Sequence, residues 1–305
     1  MNDAVPVQGT AWAPCSDLSR ERDDPLAGTG GYGERWLLVE IDGSWGRHAF
    51  TESRLDPMIG RTLTRRAEAA GIRPVAIRRF GRRGDERRAQ TRWRWMLATS
   101  RPGAESVQTG HVDDPAQLLD LPLDGTGEPS DEPLFLVCTH ARHDRCCAVR
   151  GRPVAQALAA AYPAQTWECS HLGGDRFAAT MILLPHGLYY GRVPPTEAGA
   201  IAEHYLQGRV VPEHLRGRSS LSTVAQAAQA AARAETGDAR IGSFAPMREE
   251  RTDDGWVVDL EAGDGVLEVT LRERWSEPML STCAATHPVR VREHEAVGIV
   301  RRGAP

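Results

Sequence analysis

Two stretches of the chain collect soft donors: 134–150, LFLVCTHARHDRCCAVR, and 167–175, WECSHLGGD. In the first, an apolar run breaks at Cys138, passes His140 and His143, and reaches the vicinal pair Cys146 and Cys147 ahead of Gly151. In the second, Cys169, His171 and Asp175 lie at the end of another predicted strand, and Gly173 and Gly174 allow a tight approach of the backbone. Thiolate and imidazole together suit zinc or an iron–sulfur cluster, and not the hard ions magnesium and calcium. The C-x2-C knuckles usual in zinc sites are missing. For Cys138 alone, the bland reading of a small buried residue in a strand-to-helix turn carries equal weight. The second cluster tips the balance toward a site.

The elements that must position these donors can be read from the pattern. WLLVEI at 36–41 reads as a buried strand, 56–70 as a helix closed by Gly71, and PVAIRRF (74–80) and RWRWMLATS (92–100) as strands. Residues 101–132 read as a polar, turn-rich connector. The order then repeats: LFLVCT is a strand, 152–162 a helix and TWECS a strand. FAATMILLP with GLYYGRV forms an antiparallel pair, and a helix follows at 196–207. Cys138 and Cys169 thus fall at strand ends, and Cys146 and Cys147 just before a helix, whose N-terminal dipole favours thiolate.

The expected fold class is α/β: tandem thioredoxin-like units with an appended small α+β lobe at the C-terminus. The expected division is an extended arm at 1–34, a degenerate thioredoxin-like unit at 35–110, a unit carrying the metal site at 133–218, and the lobe at 219–305. That lobe contains an Ala-rich helix without a heptad and a hairpin, WVVDLEA and VLEVTLRERW, turning through GDG.

VCTHARHDRCC with SHLGGDRFAA resembles the sucrase/ferredoxin-like family, as a bacterial member, and the C-x8-C spacing of Cys138 and Cys147 resembles that of thioredoxin-like [2Fe–2S] ferredoxins. CSDLSRERDDPLAGTG, WLLVEIDGSWG and PHGLYYGRV extend the resemblance over most of the chain. It implies an electron-transfer protein with a [2Fe–2S] cluster, exchanging one electron with an unidentified redox partner protein. It implies Cys138, Cys147 and His171 as ligands. Fungal relatives bind the cluster with two Cys and an H-x3-H pair, and here Asp175 takes the second His position. Asp175 is favoured as fourth ligand on that ground, with Cys169 as a substitute and Cys146 able to replace Cys147. Rival readings of the same residues are a thiol–disulfide oxidoreductase and a structural zinc protein.

Composition removes several other functions. The chain of 305 residues is 41% hydrophobic and 26% charged, without an apolar run long enough to span a bilayer or a secretory leader, so a cytoplasmic location is expected. All 37 basic residues are Arg, yet the net charge is -4, which argues against a general nucleic-acid binder. The Arg- and Trp-rich stretch 78–95 reads as a hairpin with a solvated Arg face, as a nucleic-acid surface, or as a dock for an acidic redox partner. PLAGTGGYG lacks a nucleotide-binding pattern. Cys15 and Cys283 read as isolated, and His140 and His143 as donors to sulfur or surface residues. No paired-carboxylate motif supports a sucrase.

Overall fold

The computed structural model describes residues 13–84, 89–263 and 265–303. Its elements, in chain order, are α1 (Cys15–Glu21), β1 (Arg35–Glu40), α2 (Pro57–Ala69), β2 (Arg73–Arg78), β3 (Trp93–Thr99), β4 (Ser106–Val112), β5 (Glu128–Ser130) and β6 (Leu134–Cys138). There follow α3 (Arg145–Ala161), β7 (Thr166–Cys169), β8 (Met181–Leu184), β9 (Leu188–Tyr190), α4 (Ala198–Leu206) and β10 (Leu215–Arg218). The tail is α5 (Thr223–Thr236), β11 (Pro246–Arg251), β12 (Gly255–Ala262), β13 (Gly265–Trp275) and β14 (Arg292–Gly303).

Ten strands form one sheet in the order β10-β9-β8-β6-β7-β2-β1-β3-β4-β5. Within it the run β4-β3-β1-β2 repeats as β9-β8-β6-β7: a parallel pair joined by a helix, then an antiparallel pair. This is the thioredoxin-like α/β topology, present twice. The two runs meet at β2 and β7, antiparallel, through Ile77–Cys169 and Arg78–Glu168.

The seam is held by charge as well as by backbone. Arg78 Nε donates to Glu168 Oε2 at 2.8 Å, Arg78 Nη1 donates to the Gly43 carbonyl at 2.6 Å, and the guanidinium lies 3.9 Å over the Trp45 ring. Both charged groups are buried.

The apolar residues of the strands divide by pleat, as period-2 alternation requires. One face of β6 (Phe135, Val137) packs against α3 and α4, and one face of β1 (Leu37, Val39) packs against α2. The opposite face of both runs shares a single core that includes Trp36, Leu38, Ile77, Leu136, Trp167 and Tyr189, with Cys138, Cys147 and Cys169 at its edge. Trp36 of β1 and Tyr189 of β9 lie five strands apart in the sheet, about 24 Å if it were flat. Their ring centroids are 6.2 Å apart, so the sheet is strongly curled around this core.

Several sequence expectations change. The arm at 1–34 contains α1, whose buried Cys15, Ser16 and Ser19 lack the apolar stripe that would mark a helix; residues 1–12 of that arm lie outside the described residues. The connector at 101–132 contains β4 and β5, where only Val107 of the two strands is buried, so no alternation announces them. The stretch 78–95 is not a hairpin, because β1 lies between β2 and β3. Helix α3 starts at Arg145, well before 152, capped by the Asp144 side chain on the Cys146 N–H, and runs through Pro153. In the tail, α5 packs Val224, Ala228 and Ala232 onto a four-stranded sheet, β11-β12-β13-β14, where the sequence shows only the central hairpin. Among the described residues, no helix is long and apolar enough to cross a membrane.

Candidate metal centre

Cys138 ends β6, its N–H donating to the Thr180 carbonyl, and Thr139 N–H donates to the Cys169 carbonyl. The chain then turns through 140–144 and enters α3, so that Cys146 and Cys147 occupy the first helical turn. Asp144 as N-cap contributes about 1 kcal/mol to such a start. Gly151 sits where the helix presses on the strand end: a Cβ there would collide with the Cys138 carbonyl oxygen.

The second donor segment is pinned from several sides. Ser170 exchanges hydrogen bonds with Ala76 of β2, through its own N–H and through its hydroxyl. His171 N–H donates to His140 Nδ1 at 3.2 Å. Arg73 donates to the Leu172 carbonyl at 2.8 Å, and Arg216 donates to the Gly173 carbonyl at 3.0 Å. Gly174 has φ +81°, and a Cβ there would run into the Arg216 guanidinium. That left-handed residue reverses the chain and delivers the buried Asp175 carboxylate to the sulfurs.

The four predicted metal donors do meet. The ligand atoms of Cys138, Cys147 and His171 lie within 4.8 Å of one another. The Cys147 thiol donates to Asp175 Oδ1 at 3.1 Å, and His171 Nδ1 is 3.0 Å from the same oxygen. The His143 ring stacks on His171 at 3.7 Å, with its Nε2 3.9 Å from Asp175 Oδ2. The cysteines and Asp175 are buried, whereas the His171 side chain is 27% exposed and forms the outer edge of the site.

Proton affinities follow from these contacts. The hydrogen bond from Cys147 draws the Cys138 thiol down to about 6, against the effect of burial and with help from His171. Cys147 moves the other way, raised by that same hydrogen bond and by burial. Burial would lower His171, but Asp175 and Cys138 outweigh it and hold the imidazole up at about 9. Burial would raise Asp175, yet His171 and Cys147 keep its carboxyl below the usual range. Thiolate, imidazolium and carboxylate therefore hold one another in place.

Four other predicted residues are placed differently. Cys169 is buried and in register with Cys138, but its sulfur joins neither of the two donor sets around Cys138 and His171. Gly173 and Gly174 serve as the turn, gripped by Arg216. Cys146 faces away from the site, toward Cys15 at 3.6 Å and Cys283 at 3.1 Å. Cys15 and Cys283 are therefore not isolated; α1 and the β13–β14 loop bring them in from opposite ends of the chain, which spacing cannot reveal.

His140 is buried, and it is its backbone N–H that hydrogen-bonds the Cys138 sulfur, while its ring is directed elsewhere. Burial pushes it down to about 4. It is a neutral imidazole whose Nδ1 accepts from His171 N–H and whose Nε2–H donates to the Gly46 carbonyl at 2.7 Å. It thereby ties the donor loop to the first run. Sequence reasoning had no signal for Arg73 or Arg216, whose partners in the donor loop are backbone carbonyls.

A model of the family described as sucrase/ferredoxin-like matches residues 26–217, more than half of the chain. No curated protein matches. Among solved structures, a cysteine-to-serine variant of the thioredoxin-like [2Fe–2S] ferredoxin from Aquifex aeolicus is similar at 20% identity, over 27% of this chain and 96% of that one, with a TM-score of 0.24. A second structure of a thioredoxin-like [2Fe–2S] ferredoxin from Aquifex aeolicus is similar at 18% identity, over 30% of this chain and 97% of that one, with a TM-score of 0.26.

Proposed function

Because the chain belongs to the sucrase/ferredoxin-like family, we propose that it is an iron–sulfur electron carrier whose [2Fe–2S] cluster is held by Cys138, Cys147, His171 and Asp175. The supporting observation is the convergence of two buried thiols with an imidazole and a carboxylate at the rim of one core.

The donors fit the group in kind. Cys138 and Cys147 form one pair, their sulfurs within 4.8 Å of each other; His171 and Asp175 form the other, at 3.0 Å. Two soft ligands and two harder ones is the division found in mixed-ligand clusters. The protons on Cys147 and His171 lie against the Asp175 carboxylate, and both would have to leave for these residues to hold a metal. When bound, the cluster supplies a one-electron couple.

The chain's own residues then set access. Cys138 and Cys147 are shielded from water, while His171 and His143 are the partly exposed edge. Beside that edge is a cavity of about 450 Å³, with Arg47, Arg61 and Arg65 at its walls. An acidic redox partner docking there places its own centre nearest His171, and the arginines speed its approach at low salt.

The test is iron and acid-labile sulfide analysis of anaerobically purified protein. The expected result is about two of each per chain. Protein free of iron and sulfide after anaerobic preparation contradicts the proposal.

A further inference from the structure

We propose that Cys15, Cys146, Cys283 and Asp144 form a second, separate metal site, a closed structural zinc site. Their ligand atoms all lie within 4.8 Å of one another. The sulfurs form a triangle with sides of 3.6 Å (Cys15–Cys146), 3.1 Å (Cys146–Cys283) and 3.5 Å (Cys283–Cys15). Asp144 Oδ2 stands 3.9 Å from the Cys15 sulfur.

The spacing decides between the uses of three thiols. A disulfide needs sulfurs at about 2.05 Å, and no pair is near that. Tetrahedral zinc with bonds of about 2.3 Å sets its sulfurs about 3.8 Å apart, which the triangle reaches with moves of under about 1 Å. Three soft donors favour zinc over hard cations, and the carboxylate completes four ligands without an open position. Zinc binding displaces the three thiol protons to water.

The convergence is not a by-product of local chain geometry. Cys15 comes from α1, Cys146 from the first turn of α3, and Cys283 from the loop between β13 and β14, separated by up to 268 positions. Each donor has a support of its own. Asp144, 2% exposed, accepts from the Cys146 and Cys283 N–H groups at 2.7 Å each, and Ser16 Oγ donates to the Cys146 sulfur at 3.3 Å. Zinc there staples both ends of the chain to the start of α3.

The experiment measures zinc and iron together in the full chain, as wild type and as the Cys15→Ser/Cys283→Ser variant, and maps thiol alkylation in the wild type with and without a chelator. The expected result is about one zinc per wild-type chain, lost in the variant while iron stays. Cys15, Cys146 and Cys283 should resist alkylation until zinc is chelated; this needs no variant to fold. Wild-type protein without zinc overturns the inference, as does a disulfide among the three thiols. So does zinc that persists in the double variant, which would place it at Cys138 and Cys147. Zinc without iron sinks the electron-carrier proposal and leaves this one standing; iron without zinc does the reverse.

Discussion

Cys146 and Cys147 are consecutive in the first turn of α3, yet their sulfurs serve different pockets: Cys147 donates to Asp175 at 3.1 Å, while Cys146 is 3.1 Å from Cys283. Successive helical residues point about 100° apart, so a vicinal pair divides between two sites more readily than it chelates one. The two thiols therefore have different partners in the fold.

That division separates two single variants. Cys147→Ser should abolish the iron content, because a thiolate ligand is lost, whereas Cys146→Ser should keep the iron and its visible spectrum. Iron analysis and absorbance on the two proteins check this. Full iron in Cys147→Ser would hand the ligand role to Cys146.

The fourth ligand has its own comparison. Asp175→Ala should strip the cluster or leave it labile, Asp175→His should retain it with altered absorbance and a higher potential, and Cys169→Ala should retain it unchanged. Bleaching of Cys169→Ala alone would make the site three cysteines and one histidine.

At the seam between the two runs, Glu168 balances Arg78 out of contact with water. Glu168→Ala removes a carboxylate that a buried guanidinium contacts, and breaking such pairs costs about 3–5 kcal/mol. Urea titration of wild type and variant reads it out. A change within experimental scatter would show that the seam does not depend on this pair.

How much of this was legible in the sequence depends on where each signal resides. The repeated strand–helix–strand order was readable because apolar runs mark buried strands, whereas the set Cys138, Cys147, His171 and Asp175 came from the family resemblance and not from the donor pattern alone. The strand β4 was not, since SVQTGHV buries one apolar side chain and borrows its stability from pairing with β3. Likewise Cys15 and Cys283 become neighbours only through the tertiary fold. The arginines of 78–95 mislead in the same way: Arg79 looks like a surface charge, but it lies 3.4 Å over Trp167 and donates to the carbonyls of Pro163, Ala164 and Thr166.

A pH effect on stability follows from His186. Burial, and then Arg218, lower its proton affinity in the fold, where Nδ1 contacts the Tyr205 hydroxyl at 2.8 Å and Glu105 pulls the other way. The unfolded imidazole takes up a proton near pH 6.5, and the folded one resists. The stability it contributes is complete above about pH 6.5 and is lost as pH falls toward the depressed folded value. Urea midpoints for wild type should drop on acidification by more than those of His186→Gln; equal drops would assign the effect elsewhere.

The central claim is that cysteine sulfur and the imidazole of His171 bind the same reduced cluster. Pulsed EPR on the dithionite-reduced protein, with histidine labelled by nitrogen-15, tests it most directly. The account predicts a reduced-cluster signal with strong coupling to one histidine nitrogen, absent in His171→Cys. A signal without strong histidine coupling, or one whose coupling survives in His171→Cys, would contradict it.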